Sequence, residues 1–524
     1  MRFDKEIYQT YRKIHNLLTI TENGSRILNP EYREFDGVYA EVASALDQMS
    51  APLRVAVAGY MKAGKSTLLN AIMQKKMLCT GALITTYTPT WFKYGAKESL
   101  ELVFKDGTHQ TEIPLEDLEK WTSIKRRDEN PQMDDVLYVI IYCPNEILKE
   151  IELIDTPGLF SPEEKDSERT IRLLGLNGIS DANKLNQQQV SMADAIIYAF
   201  SSNFKECDLS AVKSFTSTPI NAIAVFTKIE QSYWDIISGD PEVSPMQRMQ
   251  GTIERCTREL KNEIYCILPV VSIIVEGFVS LTDNDWRALC SIAQEPMESV
   301  TRALFSASFF VKTPLGETTG EERGRLYQIL DKYGIYCIAK AIQDGMDRDS
   351  MLDHLYQVSG IEVIVDKMKS HFGMRSFSIK TEATLSRIEN RLQKIRFSQG
   401  ASRSSQMMGL QIEQQIAEVR KSRAFAQLQL LRTFYEEKLR FPTEEDNESF
   451  LKLMGENGNG TAARLGLEEQ VTMEELYCVV KKLHDRWSFL ANDFTLEREV
   501  CAAAQVVLDS VSELRYHIEM LVAF

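Results

Sequence analysis

The chain has 524 residues, 44% hydrophobic and 26% charged, with 26 Gly and 15 Pro, a composition of folded globular proteins rather than disordered or fibrous ones. Its formal net charge of −15 repels phosphate backbones and anionic lipid at long range, so nucleic-acid binding is not expected as its main role. No apolar run approaches the ~18 residues of a spanning helix, and Met1-Arg2-Phe3-Asp4-Lys5-Glu6 lacks the apolar core of a secretory leader, so the expected address is the cytoplasm.

In chain order, residues 1–50 read as two helices, from Ile7, Tyr11, Ile14, Leu17 and Leu18 and then Val38, Val42, Ala45 and Leu46 at helical spacing. From Leu53 to about Glu276, short β-rich runs alternate with helical stretches, which predicts an α/β P-loop domain with a mainly parallel sheet flanked by helices. The predicted strands are Arg54–Ala58, Thr90–Tyr94, Leu100–Phe104, Val136–Tyr142, Ile151–Ile154, Ala195–Phe200, Ala222–Phe226 and Leu268–Ile274. Beyond Glu276 the pattern is helical, with breaks at Pro296, Pro314-Leu315-Gly316 and Gly360 and a polar interruption over Ser398–Ser405. Met407–Leu439, Met473–Asn492 and Leu496–Leu521 predict three long helices, with an exposed loop at Gly455–Gly460 between the first two. The expected organisation is residues 1–50 packing with a C-terminal all-α helical bundle over 376–524, and a nucleotide-binding unit with a helical extension over 51–375.

Gly59-Tyr60-Met61-Lys62-Ala63-Gly64-Lys65-Ser66 fits the pattern GxxxxGK[ST], with an apolar strand before it and an amphipathic helix from Thr67 after it. Small residues let successive N–H groups curl around phosphates at a helix N-terminus; Lys65 is placed to reach the β- and γ-phosphates and Ser66 to bind Mg²⁺. At the end of a second strand, Asp155-Thr156-Pro157-Gly158 offers a carboxylate for Mg²⁺ and, in Gly158, an N–H for the γ-phosphate. At the end of a third, Thr227-Lys228-Ile229-Glu230 reads guanine, whose N1–H and exocyclic amine donate to one carboxylate. Glu230 is one methylene longer than the aspartate usual there, which favours GTP with weakened discrimination. Ser272 falls where a last base-contacting loop is expected, or is simply a packed residue at a strand end.

These motifs, their order and the threonine-rich segment Thr80–Pro89 resemble the dynamin superfamily, in particular the bacterial dynamin-like GTPases. The gap of roughly 90 residues between the phosphate loop and Asp155 is similar to the enlarged GTPase domain of that family, and Lys332-Tyr333-Gly334-Ile335-Tyr336 and His371-Phe372-Gly373-Met374-Arg375 also resemble segments of bacterial members. The resemblance spans about residues 50–395. It implies that Thr86, with Thr85 as the alternative, closes on Mg²⁺ and the attacking water. It also implies a homodimer or hetero-oligomer formed through the GTPase domain, and nucleotide-driven motion of a helical bundle that often remodels membranes. Met61-Lys62 departs from the usual Gln-Ser of dynamins. Guanylate-binding proteins resemble this chain in carrying a basic residue at the Lys62 position, which acts as a finger in cis; the alternative is a solvated loop lysine. The rival readings are a slow nucleotide-gated switch for a protein or ribonucleoprotein partner, and a nucleotide-binding protein without turnover.

Basic residues outnumber acidic ones between Arg375 and Arg423, a local patch for anionic lipid, for a partner or for water alone. No specific nucleic acid is expected. Nine scattered cysteines without a CxxC pair and six histidines without ligand spacing predict neither disulfides nor a zinc site.

Overall fold

A computed structural model describes residues 2–22, 24–47, 51–78, 80, 88–123, 126, 129–156, 193–201, 208–209, 212–213, 221–234, 241–260, 263–373, 376–396, 402–420, 423–435, 438–455, 460–468 and 471–522. The chain opens with helix α1 (Arg2–Leu18), a two-stranded ribbon of β1 (Thr19–Glu22) and β2 (Ser25–Leu28), and α2 (Asp36–Asp47). The ribbon corrects the reading of this region as helices alone. Its signal is Asn23-Gly24, the pair favoured in tight hairpins.

The sheet has nine strands: β3 (Leu53–Ala58), β4 (Thr90–Tyr94), β5 (Ser99–Phe104), β6 (His109–Ile113), β7 (Val136–Cys143), β8 (Ile151–Asp155), β9 (Ala195–Phe200), β10 (Ala222–Phe226) and β11 (Cys266–Pro269), in the order β11-β10-β9-β3-β8-β4-β7-β5-β6. The five from β11 to β8 are mutually parallel; β4 runs against β8. β3, β9 and β10 are buried at every residue, as central parallel strands covered on both faces must be. β6 is a polar, mostly exposed edge and lacks the apolar alternation that betrays a strand.

Helices α3 (Lys65–Met73), α4 (Leu118–Thr122), α5 (Ile229–Tyr233), α6 (Pro245–Leu260) and α7 (Ser272–Phe278) follow in the α/β region. After it come α8 (Asp283–Ile292), α9 (Met297–Ala303), α10 (Ala307–Lys312), α11 (Gly320–Gln343), α12 (Arg348–Val358), α13 (Ile361–Lys367) and a π-helical turn, Met368–Gly373. The tail holds α14 (Ser376–Arg396), α15 (Arg403–Arg420), α16 (Arg423–Tyr435), α17 (Glu444–Leu453), α18 (Thr461–Arg464), α19 (Met473–Ala491) and α20 (Arg498–Val522). Three tail expectations change. The Met407–Leu439 stretch is covered by α15 and α16 and stops being helical before Leu439. The last residues of the polar interruption, Arg403–Ser405, already form the start of α15. The unexpected α17 is announced by Thr443-Glu444-Glu445-Asp446, where Thr443 and Asp446 cap each other's backbone N–H.

α1 packs on α15 and α2 on α14, and α14 also touches β3 and β9. Glu41 of α2, its side chain fully buried, accepts from Arg387 Nε at 2.8 Å and from Arg391 Nη2 at 3.0 Å on α14. At the base of the sheet Arg54 donates to Asp194 through Nε at 3.0 Å and Nη2 at 2.7 Å. On the next helix Arg420 pairs with Glu389 at 2.8 Å. Three of the basic residues between Arg375 and Arg423 thus tie helices to one another, while Lys394, Arg396 and Arg403 stand exposed.

Candidate nucleotide-binding site

Parallel strands in register bring their C-terminal ends to one edge: Val57 pairs with Asp155, Ala58 with Tyr198, and Phe226 with both Phe200 and Pro269. β4 runs the other way, so Thr90 at its start pairs with Asp155 on the same edge. The motifs that begin at Gly59, Asp155 and Thr227 therefore leave the sheet on one side, at a crossover next to β3, where ligands bind in open α/β sheets.

The phosphate loop turns at Gly59, whose φ of +146° and position would put a Cβ 2.2 Å from the Ala199 carbonyl oxygen. It enters α3 through Gly64 at φ +83°, against Thr227. Lys62 also adopts a left-handed φ of 63° and is exposed; Met61 and Thr67 are half-buried. Lys65, 7% exposed, donates from Nζ to the Gly59 and Tyr60 carbonyls, each at 3.1 Å. Burial lowers its pKa to about 8, against the opposing charge of Asp155. Those carbonyls occupy donors that phosphate oxygens would take.

Ser66 Oγ donates to Asp155 Oδ2 at 3.0 Å, and Asp155 is fully buried. Thr156 Oγ1 donates to the Val57 carbonyl at 2.8 Å, holding the end of β8 on β3. A hydroxyl and a carboxylate, both hard oxygen donors, beside the phosphate loop suit Mg²⁺, which binds through few protein oxygens and substrate phosphates. Gly158, Thr85 and Thr86 lie outside the described residues.

The base-reading segment is tied to the phosphate loop by Thr227 Oγ1, which donates to the Ala63 carbonyl at 2.7 Å. Lys228 turns at φ 58°; its pKa is lowered by burial, with Glu230 opposing and Lys62 adding to the shift. Glu230 is 2% exposed, and its Oε2 makes no hydrogen bond. Burial pushes its carboxyl up to about 7, with the negative charge of Asp331 working in the same direction and Lys228 and Lys332 against it. Ser272 is also buried, with an unpartnered Oγ, but it opens α7 instead of continuing a strand. β11 ends at Pro269, and the following Val270 and Val271 bond to Phe226 and Ser359 carbonyls as the chain leaves the sheet. The misreading has a simple cause: α7 is buried nearly all round, and an apolar run buried on all sides carries no period to separate helix from strand.

Sequence reasoning missed a polar cluster behind the loop. Asn70 of α3, Glu276 of α7 and Thr80 meet through hydrogen bonds of 2.7 Å (Asn70 Nδ2 to Glu276 Oε1) and 2.6 Å (Thr80 Oγ1 to Glu276 Oε1). A signal existed: an asparagine amid Leu68, Leu69, Ala71 and Ile72 is a polar group in an apolar run. Among the described residues no cluster of three or more His, Cys, Asp and Glu side chains is placed to hold a metal, and no helix is long and apolar enough to cross a membrane.

Residues 55–227 match the family model described as Dynamin family. Isoniazid-induced protein IniC of Mycobacterium tuberculosis is 24% identical over 452 residues, 84% of this chain and 85% of that protein. Dynamin-like protein 2 of Campylobacter jejuni is 31% identical over 119 residues, 23% of this chain and 18% of that protein. Among solved structures, an oligomerised bacterial dynamin pair described as sensing and tethering membranes over long range aligns at 12% identity and a TM-score of 0.32. It covers 98% of this chain and 74% of its own.

Proposed function

We infer that this chain, whose residues 55–227 form a dynamin-family domain and which stands among the bacterial dynamin-like proteins, binds and hydrolyses GTP and couples turnover to movement of its helices. The main support is the 3.0 Å approach of Ser66 to Asp155 beside the buried Lys65, with Glu230, in the short helix α5 that follows β10, as a buried acceptor for guanine. Ser66 and Asp155 would hold Mg²⁺, which when bound offsets charge on the β- and γ-phosphates. Lys65 exchanges the Gly59 and Tyr60 carbonyls for phosphate oxygens, and the N–H groups from Met61 to Thr67 cradle the phosphates. Lys62 neutralises charge developing at the bridging oxygen. Thr86, or Thr85 in its place, and Gly158 orient the attacking water and the γ-phosphate.

Self-association through the GTPase domain, with a second copy or a related chain, stimulates turnover in this reading. The body that moves is α1 and α2 together with α14–α20. Its support is the double ion pair of Glu41 with Arg387 and Arg391, which fixes the N-terminal hairpin to α14. Contact with membranes is peripheral and falls at the turn between α19 and α20, where Phe494 is 98% and Phe489 58% exposed.

The test is a concentration series with GTP and ATP side by side. Specific GTPase activity that rises with protein concentration is expected, with ATP a poor substrate. Slow turnover independent of concentration would instead identify a nucleotide-gated switch. Co-sedimentation with liposomes, with and without GTP, tests the membrane contact, and Phe494→Ser should weaken it.

A further inference from the structure

α11 is broken where it passes the base-reading segment. At Asp331, deep inside a helix of 24 residues, φ is 56° and ψ is 175°, a combination in which essentially only glycine is at ease. No proline or glycine sits at the break, where the sequence runs Leu330-Asp331-Lys332, so tertiary contacts must hold it.

Those contacts come from both base-facing segments. Lys332 Nζ donates to the Trp234 carbonyl at 3.4 Å, and the Trp234 ring packs on Tyr333 and Tyr336 with centroids 5.2 and 5.1 Å apart. Trp234 lies four residues beyond Glu230. On the other side α7, which begins at Ser272, meets the turn before the break: a Cβ on Gly277 would come within 2.5 Å of the Ile329 carbonyl oxygen, and one on Gly334 within 3.1 Å of Ile274 Cγ2. Asp331 is half-buried between these supports, and one carboxylate oxygen accepts from the Lys332 N–H at 2.6 Å. The other oxygen has no hydrogen bond among the described residues. The charge of Asp331 also acts on the Glu230 carboxyl.

We propose that Asp331 is a specificity-determining residue of the base site, a second carboxylate that accepts from the exocyclic 2-amino group of guanine beside Glu230. The proposal rests on the GTP reading above. Guanine offers N1–H and two amine N–H bonds; Glu230 accepts N1–H and one amine hydrogen, and Asp331 accepts the other. A second acceptor compensates for the altered reach of Glu230. It also gives a role to a strained aspartate at a position where a regular helical turn, or a glycine, would be easier.

Asp331→Gly separates this role from a structural one, because glycine adopts φ 56° without strain while removing the carboxylate. Binding of GTP, ITP (which lacks the 2-amino group) and ATP is measured by calorimetry on the full chain, with thermal unfolding in parallel. The expected result is a melting temperature equal to or above wild type and affinity for GTP lower by roughly tenfold, with ITP little changed. Asp331→Asn, which keeps one acceptor oxygen, should restore part of the preference for GTP over ITP. An unchanged GTP-to-ITP ratio in Asp331→Gly, or an equal loss for both nucleotides, overturns the proposal while leaving the GTP reading intact. Wild-type protein that binds ATP as tightly as GTP overturns both.

Discussion

The Asn70 side-chain amide donates to the Glu276 carboxylate at 2.7 Å, joining residues 206 positions apart. Asn70 also donates to the Leu78 carbonyl at 2.8 Å and accepts from the Leu78 N–H at 2.8 Å, while Glu276 accepts from Thr80 at 2.6 Å. One buried cluster thus binds the helix after the phosphate loop, the helix opened by Ser272, and the start of the threonine-rich segment that carries Thr85 and Thr86. Hydrogen bonds to a charged group contribute about 1.5–3 kcal/mol each. Glu276→Ala should therefore lower stability by roughly 2–4 kcal/mol, and Glu276→Gln, which keeps an acceptor for both partners, by about half as much. Urea denaturation measures this. Equal midpoints for Glu276→Ala and wild type would show that the cluster holds nothing together.

Lys62 is exposed and held at a left-handed φ of 63° beside the phosphate loop, so its removal should disturb little of the fold. If it neutralises charge in the transition state, Lys62→Ala should lower kcat by about tenfold to a hundredfold while GDP affinity changes by less than threefold. Lys62→Arg should retain most activity. Full turnover in the alanine variant assigns Lys62 to the solvent.

The pH dependence of nucleotide binding follows from two buried groups. Burial, with the Asp331 charge adding, raises the free Glu230 carboxyl to about 7, and only the carboxylate accepts two guanine N–H bonds. A proton must leave before the base binds below that pH, so GDP affinity should rise by roughly tenfold between pH 6 and 8 from this group alone. Lys65, lowered to about 8 by burial, must be protonated to hold phosphate, so affinity falls again above about pH 8. The sum is a bell with its maximum between the two. Glu230→Gln should bind weakly throughout and lose the acid limb; a wild-type profile flat from pH 6 to 7.5 would contradict the assignment.

The strands that position the site were legible because each is a short apolar run ending in a motif: Ala58 before Gly59, Ile154 before Asp155, Phe226 before Thr227. Their common edge is then dictated by parallel pairing. Illegible were features set by partners distant in sequence. Nothing local to Asp331 announces a left-handed residue inside a helix; the break depends on Trp234 and Gly277, 97 and 54 positions away. The excess of basic residues on α14 and α15 suggested a patch, but charge along the chain cannot show that Glu41 lies across from two of them. Ser272 opens a helix where a strand end is expected, since five apolar residues among Val270–Val275 carry no usable period.

Glu41 offers a test of that hidden connection. Its carboxylate is the only described ion-pair partner that Arg387 and Arg391 share, and its side chain is fully buried while the two arginines are 20% and 27% exposed. Breaking a buried pair from the acidic side leaves uncompensated cations that water reaches only in part, at a cost of about 3 kcal/mol. Glu41→Ala should lower stability by that amount and free α2 from α14, whereas Glu41→Gln, whose single carbonyl oxygen still accepts from an arginine, should lose less. Because Glu41 lines a cavity with Arg54 and Asp194, at the end of β3 opposite the phosphate loop, GDP affinity should be unchanged in both. If the N-terminal hairpin moves with the bundle, limited proteolysis should then cut Glu41→Ala between α2 and β3 at a rate no longer altered by nucleotide. Nucleotide-dependent cutting identical to wild type would show that the hairpin and α14 move without this tie.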